Sequence, residues 1–263
     1  MTRRLSDLTL RQVDGIDHHG AVLVQPIGAI EQHGPHLPLC TDALRAERAV
    51  DLALDRLGAD VPVWSLPTLS YGKSVEHAGL GATVALTSAT LAAVCLELGR
   101  SLAASGFRKL AFVNGHGGQP GLLESVARDI RLASGLQVFP INLGALGVPD
   151  GVEPSSPYDI HAGRQETSIM LALAPELVHP EWAVAGDGDV AGLYADRRHL
   201  TLEGAVPTAW LTRDLTSTGV IGDPSGASAA EGRRIIDHRV TALAAALTEI
   251  VTFEFPFPTP EAR

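Results

Sequence analysis

Short apolar runs alternate along this chain with longer segments whose apolar positions recur at helical spacing. AVLVQPI (21–27) is an unbroken run of the length expected for a buried strand. Over 43–57 the apolar residues Ala46, Ala49, Val50, Ala53 and Leu57 share one face, and Gly58 stops the helix they predict. VPVWSL (61–66) predicts a second strand, and 88–105 a second helix closed by Gly106. KLAFVN (109–114) predicts a third strand and 120–134 a third helix, with Pro120 suited to its first turn. LQVFPINL (136–143) reads as a fourth strand. A helix from Glu166 to Leu173 ends before Pro175, and a long helix from Ser228 to Val251 closes the fold. PFPTPEAR reads as a loose tail, and 192–214 has no pattern that places it.

Strand–helix alternation of this kind predicts an α/β fold, a mostly parallel sheet with helices on both faces. No internal repeat or linker-like shift in composition divides the chain, so residues 1–263 are expected to form a single domain. Open sheets of this type bind ligands beyond the carboxyl ends of their strands. The loop after the first strand carries Glu31, His33, His36 and Asp42, and the loop after the second carries Tyr71, Lys73, Glu76 and His77. NGHGGQ, with His116, follows the third strand, and DIHAGRQET, with His161 and Glu166, follows the fourth. Five of the ten histidines therefore converge on one edge of the sheet.

Composition narrows the chemistry. A formal net charge of −10, from 30 acidic and 20 basic side chains, argues against a general nucleic-acid binder. Two cysteines, Cys40 and Cys95, supply neither a disulfide framework nor a cysteine zinc site. No segment approaches the roughly 20 apolar residues of a membrane helix, and the first residues lack a signal-peptide pattern. The expectation is a soluble cytoplasmic protein.

Each site candidate has an ordinary structural role open to it. Asp42 suits a helix cap, His33 a loop histidine, and Glu166 the first turn of a helix beginning near Gly163. NGHGGQ would serve a phosphate cradle, but it lacks both GxxxxGK[ST] and GxGxxG spacing. Tight turning that presents His116 at the strand end is the better reading. Taken as a set, Glu31, His33, Asp42, His116 and Glu166 favour Zn2+, Mn2+ or Fe2+. Five such ligands suit two ions roughly 3.5–4 Å apart, which lower the pKa of a water and polarise a carbonyl. His161 is then placed to pass a proton to a leaving nitrogen. Cys40 reads as a packing residue and His36 as structural.

GAIEQHGPHLPLCTDA, EHAGLGATVAL, NGHGGQ, HAGRQETSIMLAL and TGVIGDPSGAS occur in this order between about residues 21 and 240. Together they resemble the creatininase (creatinine amidohydrolase) family. The resemblance implies a three-layer α/β/α sandwich and a cytoplasmic homo-oligomer, often a hexamer, with two divalent metal ions in each site. It makes Glu31 and His116 ligands of one ion, His33 a ligand of the other, Asp42 the bridge and His161 the proton-transfer residue. In creatininase itself a Glu two residues after the glycine-motif histidine completes the second ion; here that residue is Gly118. Other branches use the Glu of HAGxxET, which is Glu166.

Creatininase also covers its flat substrate with tryptophans just before the proton-transfer histidine. Between Leu143 and His161 this chain has only Tyr158, which points away from creatinine itself. The expected activity is therefore binuclear metal-dependent hydrolysis of a C–N bond in a small amide, lactam or formamide. Tyr71, Lys73, His77 and Arg164 are its candidate substrate contacts. Family-related deformylation or peptide trimming is the alternative. A non-catalytic protein stabilised by metal, or a nucleotide-binding module built on NGHGGQ, stands outside the enzyme class.

Overall fold

The computed structural model describes residues 2–152 and 156–256, so all but the first residue of the expected tail lies outside the described residues. Four strands, β1 (Val22–Ile27), β2 (Val63–Ser65), β3 (Lys109–Asn114) and β4 (Gln137–Asn142), form one sheet in the order β2-β1-β3-β4. Every pairing is parallel, with Val22 opposite both Val63 and Lys109, and Lys109 opposite Gln137. The major helices are α1 (Thr41–Arg56), α2 (Ser88–Ala104), α3 (Pro120–Ser134), α4 (Arg164–Leu173) and α5 (Ala229–Thr252).

β1 and β3 are buried along their whole length, which is why they read as unbroken apolar runs rather than alternating ones. Their side chains still alternate between two cores. Val22, Val24, Ala111 and Val113 pack with α1 and α5, through residues such as Val50, Val240 and Leu247. Leu23, Leu110 and Phe112 face the other way, against Leu91 and Cys95 of α2 and Leu123, Val126 and Ile130 of α3. The sheet is the middle of three layers.

Two sequence expectations shift here. The second strand is three residues long rather than six, because Pro62 offers no N–H to extend it. The segment 192–214 resolves into the one-turn helices Val190–Tyr194 and Thr212–Leu215, joined by bends and a single bridge between Thr201 and Pro207. Too short for a periodic pattern, such turns leave no trace in hydrophobicity. Among the described residues no helix is long and apolar enough to cross a membrane.

The topology fixes where a ligand would sit. From β1 the chain crosses to β2 on one side and then returns past β1 to β3 on the other. The crevice at such a switch point, between the carboxyl ends of β1 and β3, is the usual ligand position in open sheets. Gly28 and Gly115 follow these two strands directly, and a Cβ on either would overlap the backbone of Ala43 or Asp42. Their missing side chains let the first turn of α1 descend onto the strand ends.

Candidate metal centre

The loop leaving β1 folds back on itself. Glu31 N–H donates to Leu39 O at 3.0 Å, and His33 bridges Leu37. This closure turns Glu31 and His33 inward, where both are about 1% exposed. Asp42 enters from the first turn of α1. The helix is capped at Cys40 without a side-chain bond, so Asp42 is not the cap its position suggested. After β3, Asn114 clamps the next turn: its Oδ1 accepts from His116 N–H at 3.1 Å and its Nδ2 donates to His116 O at 2.7 Å. His116 is thereby turned into the crevice.

His161 arrives on a strand-like segment whose N–H and C=O both bond to Ile221. The next residue, Ala162, has φ 55°, in the left-handed region that costs a residue with a Cβ about 1–2 kcal/mol. That turn presents Ala162 N–H to Glu166 Oε2 at 2.8 Å and ties His161 to the start of α4.

Asp42 divides its two oxygens between two histidines. Oδ2 lies 3.0 Å from His116 Nδ1, and Oδ1 lies 3.4 Å from His33 Nε2. Glu31 Oε2 is 3.3 Å from His116 Nδ1, and Glu166 Oε2 is 3.8 Å from His33 Nε2. His161 Nδ1 and His77 Nε2 approach Glu31 Oε1 at 3.8 and 3.4 Å. The His161 ring lies 4.1 Å from that of His77 and 4.3 Å from that of His33.

Charge is unevenly shared across this cluster. Burial works to lower the pKa of His33, but Asp42, Glu166 and Glu31 outweigh it and lift it to about 9. His116 is likewise held well above the ordinary histidine range, its burial overcome by Glu31 and Asp42. Asp42 is held well below the carboxylate range, since His33 and His116 overcome its burial. Burial, reinforced by neighbouring histidines, pushes His161 and His77 strongly down, so both are neutral. Glu31 is raised by burial.

These residues fit divalent ions. His33 Nε2 is buried without a hydrogen-bond partner, although three carboxylates lie within 3.8 Å of it. An orphaned imidazole nitrogen among carboxylates is satisfied by a cation. Ligand atoms of Glu31, Asp42 and His116 all lie within 4.8 Å of one another, as do those of His33, His161 and Glu166. Glu31, His77 and His161 form a third such group.

The remaining sequence candidates divide. His77 joins the cluster, buried beside Glu31. Lys73 stands behind it, its Nζ 2.7 Å from Glu76 Oε2 and 3.2 Å from Gly118 O. Tyr71 is half exposed on the loop after β2. Arg164 is not brought into the cluster; its guanidinium pairs with Glu231, with Nε 3.0 Å from Oε1. His36 fastens the loop to α4 through Thr167 Oγ1, at 2.9 Å from its Nε2. Burial raises the Cys40 thiol, which disfavours the nucleophilic thiolate.

Four partners gain a role only from the structure: Arg45, Ser74 and Gln32, which the sequence did not mark, and Glu76, which it placed only in a loop. Arg45 pairs with Glu166 and lies 3.4 Å from Asp42 Oδ1, and Ser74 Oγ hydrogen-bonds Glu31. Gln32 Nε2 donates to Gly219 O at 3.0 Å and lies 3.0 Å from both His77 Nδ1 and His161 Nε2, while the Gln32 backbone carbonyl lies 2.8 Å from His161 Nε2. Glu76 Oε1 is 3.2 Å from His116 Nε2. Arg45 follows Asp42 by one helical turn, a spacing that would have revealed it. For the other three only proximity in the fold carries the signal.

A parallel sheet whose switch point holds buried carboxylates and imidazoles defines a metal-dependent hydrolase of the α/β class. The sequence model of creatininase, described as creatinine amidohydrolase, matches residues 6–247, and the chain belongs to that family. It is 38% identical over 220 residues to a mycofactocin precursor peptide peptidase of Mycobacterium ulcerans, covering 82% of this chain and 80% of that one. A Bacteroides fragilis structure provisionally assigned as a creatinine amidohydrolase superposes with TM-score 0.76 at 28% identity, covering 98% and 100% of the two chains. A Glu-to-Gln mutant of creatininase in its Zn–Zn form shares the fold, with TM-score 0.77 at 23% identity, over 96% of this chain and all of that one.

Proposed function

We propose that this hydrolase, acting as a single domain, cleaves an amide C–N bond at a centre of two divalent ions, and that its substrate is a peptide. The observation that carries the centre is Asp42, whose two oxygens face His116 on one side and His33 on the other. Glu31, Asp42 and His116 would hold one ion, and His33, Asp42 and Glu166 the other, as Zn2+ or Mn2+, with Fe2+ the third choice. Such ions supply a water of lowered pKa and polarise a carbonyl. His161 is neutral, and its Nε2 lies 2.8 Å from the Gln32 backbone carbonyl and 3.0 Å from the Gln32 amide nitrogen; in the tautomer that donates Nε2–H to that carbonyl, the Nδ1 lone pair is on the side of Glu31. Nδ1 is the atom that accepts a proton and returns it to the departing nitrogen.

Two observations favour a peptide over creatinine. Relatives at 38% identity are named for a precursor peptide, and no tryptophan lies between Leu143 and His161 to cover a flat ring. The test incubates Zn2+- or Mn2+-loaded protein separately with a mycofactocin-type precursor peptide, creatinine and a formamide, with products followed by mass spectrometry. Peptide cleavage that stops with a chelator and in Glu31→Gln is expected. Conversion of creatinine with the peptide left intact would move the substrate to small lactams. Tight metal with no cleavage of any substrate would favour the metal-stabilised binding protein.

The raised histidines give a pH prediction. His33 keeps its proton up to about pH 9 in metal-free protein, and His116 also titrates above the ordinary range. A ligand must shed that proton, so Zn2+ uptake at pH 7 should release protons and tighten as the pH rises toward 9. Calorimetry in two buffers of different ionisation enthalpy measures the release. Equal heats in both buffers would show that no protonated histidine is displaced.

A further inference from the structure

Gly118 stands two residues beyond His116, on the side of the imidazole away from Glu31 and Asp42. A Cβ there would overlap Glu76 Oε1 and crowd His116 Nε2. The space a side chain at 118 would take is therefore filled by the carboxylate of Glu76, delivered from the loop after β2. Glu76 is buried and held on several sides. Its Oε2 accepts from Lys73 Nζ at 2.7 Å, its backbone carbonyl accepts from Thr212 Oγ1 at 3.0 Å, and Lys73 Nζ also donates to Gly118 O at 3.2 Å. Its Oε1 has no hydrogen-bond partner; it lies 3.2 Å from His116 Nε2, whose hydrogen bond goes to the Lys73 carbonyl at 2.9 Å.

We propose that Glu76 is a positioning residue for the metal centre, fixing the proton of His116 on Nε2 so that the Nδ1 lone pair faces Glu31 and Asp42. The inference rests on the metal-centre reading above. An imidazole has two nitrogens, and the partner of one decides which of them is free to bind a metal. Here Lys73 O is the acceptor at Nε2, and the charge of the Glu76 carboxylate beside it favours a proton on that nitrogen. The charge of Glu76 also favours donation of electron density through the ring toward a cation at Nδ1. Gly118 belongs to the same device, because a side chain there would displace the carboxylate.

The experiment titrates metal-free protein with Zn2+ against a chromophoric chelator for wild type, His116→Ala, Glu76→Gln, Glu76→Ala, Gly118→Ala and the double variant Glu76→Ala/Gly118→Ala. Circular dichroism reports the fold of each. One of two binding steps, the step lost in His116→Ala, should weaken by about 10–100-fold in each single variant at 76 or 118. The other step should stay within about twofold of wild type, a selectivity that general loosening of the fold would not produce. Gly118→Ala and the double variant also press a Cβ against His116 Nε2, so the Glu76 variants carry the test. If Glu76→Ala does not fold, Glu76→Gln carries it, as it leaves the loop filled.

Wild-type affinity at both steps in the Glu76 variants would overturn the inference while leaving the metal centre intact. Equal weakening of both steps would also overturn it. Wild-type protein that takes up no divalent ion would overturn the metal-centre reading, and this inference with it.

Discussion

On the proposed two-ion centre, Asp42→Asn is expected to strip both ions, lowering metal content from two per chain to below one and turnover by roughly a thousandfold or more. The scale follows from a metal's usual stabilisation of transition-state charge, about 4 kcal/mol or more. The argument rests on the division of its oxygens. His33→Ala removes a donor 3.4 Å from Oδ1, and His116→Ala one 3.0 Å from Oδ2, so each should cost a single ion. Glu31 also reaches both histidines, with Oε1 3.8 Å from His33 Nε2 and Oε2 3.3 Å from His116 Nδ1, but Asp42 is nearer to each, so its neutralisation should cost both. Asn keeps the volume, and Arg45 keeps its partner in Glu166, so the fold should persist. Elemental analysis of the three variants side by side is the measurement. Two ions retained in Asp42→Asn would refute the bridge, and one retained would make Asp42 a ligand of a single position.

The frame that holds this centre is legible in the sequence to within a residue or two wherever one physical rule dominates. β1 and β3 are covered on both faces, so their apolar runs are continuous and their limits sharp. α3 begins at Pro120 and ends at Gly135, whose φ of 76° suits glycine at a helix end. Glu31, His33, His116 and His161 were singled out because the topology gathers residues following strands at one edge. β2 is shorter than its apolar letters suggest because an edge strand is set by hydrogen bonding, which Pro62 curtails. Arg164, a substrate candidate, shows the opposite case: its partner Glu231 is 67 positions away on α5, a distance no local pattern spans. Glu76 was visible as a loop residue, but its bearing on His116 depends on the emptiness of Gly118, which only the packed structure shows.

Replacing His161 separates its proposed role from a ligand role. The residue belongs to two of the three groups with converging ligand atoms, so proximity alone does not distinguish them. Its hydrogen bonding and charge fit both roles, because a neutral ring anchored through Nε2 presents Nδ1 to an ion or a proton alike, so the variant decides. Nε2 is committed to the Gln32 carbonyl at 2.8 Å, and burial with the charge of His33 keeps the ring neutral. Nδ1 stands 3.8 Å from Glu31, as far as His33 Nε2 does, whereas His77 and His116 come within 3.4 and 3.3 Å. In the proton-transfer role, His161→Ala should lower kcat by about 10²–10⁴-fold, the usual range for loss of a general acid–base group, with KM little changed. Metal content should stay at the wild-type level. His161→Gln fills more of the space between His33 and His77 and should be equally slow, because an amide does not exchange protons near neutral pH. A variant that loses an ion along with activity would make His161 a ligand and require a different residue to serve the leaving nitrogen. Full metal with full turnover would leave proton transfer to water alone, and the buried, neutral histidine would then be part of the wall of the site.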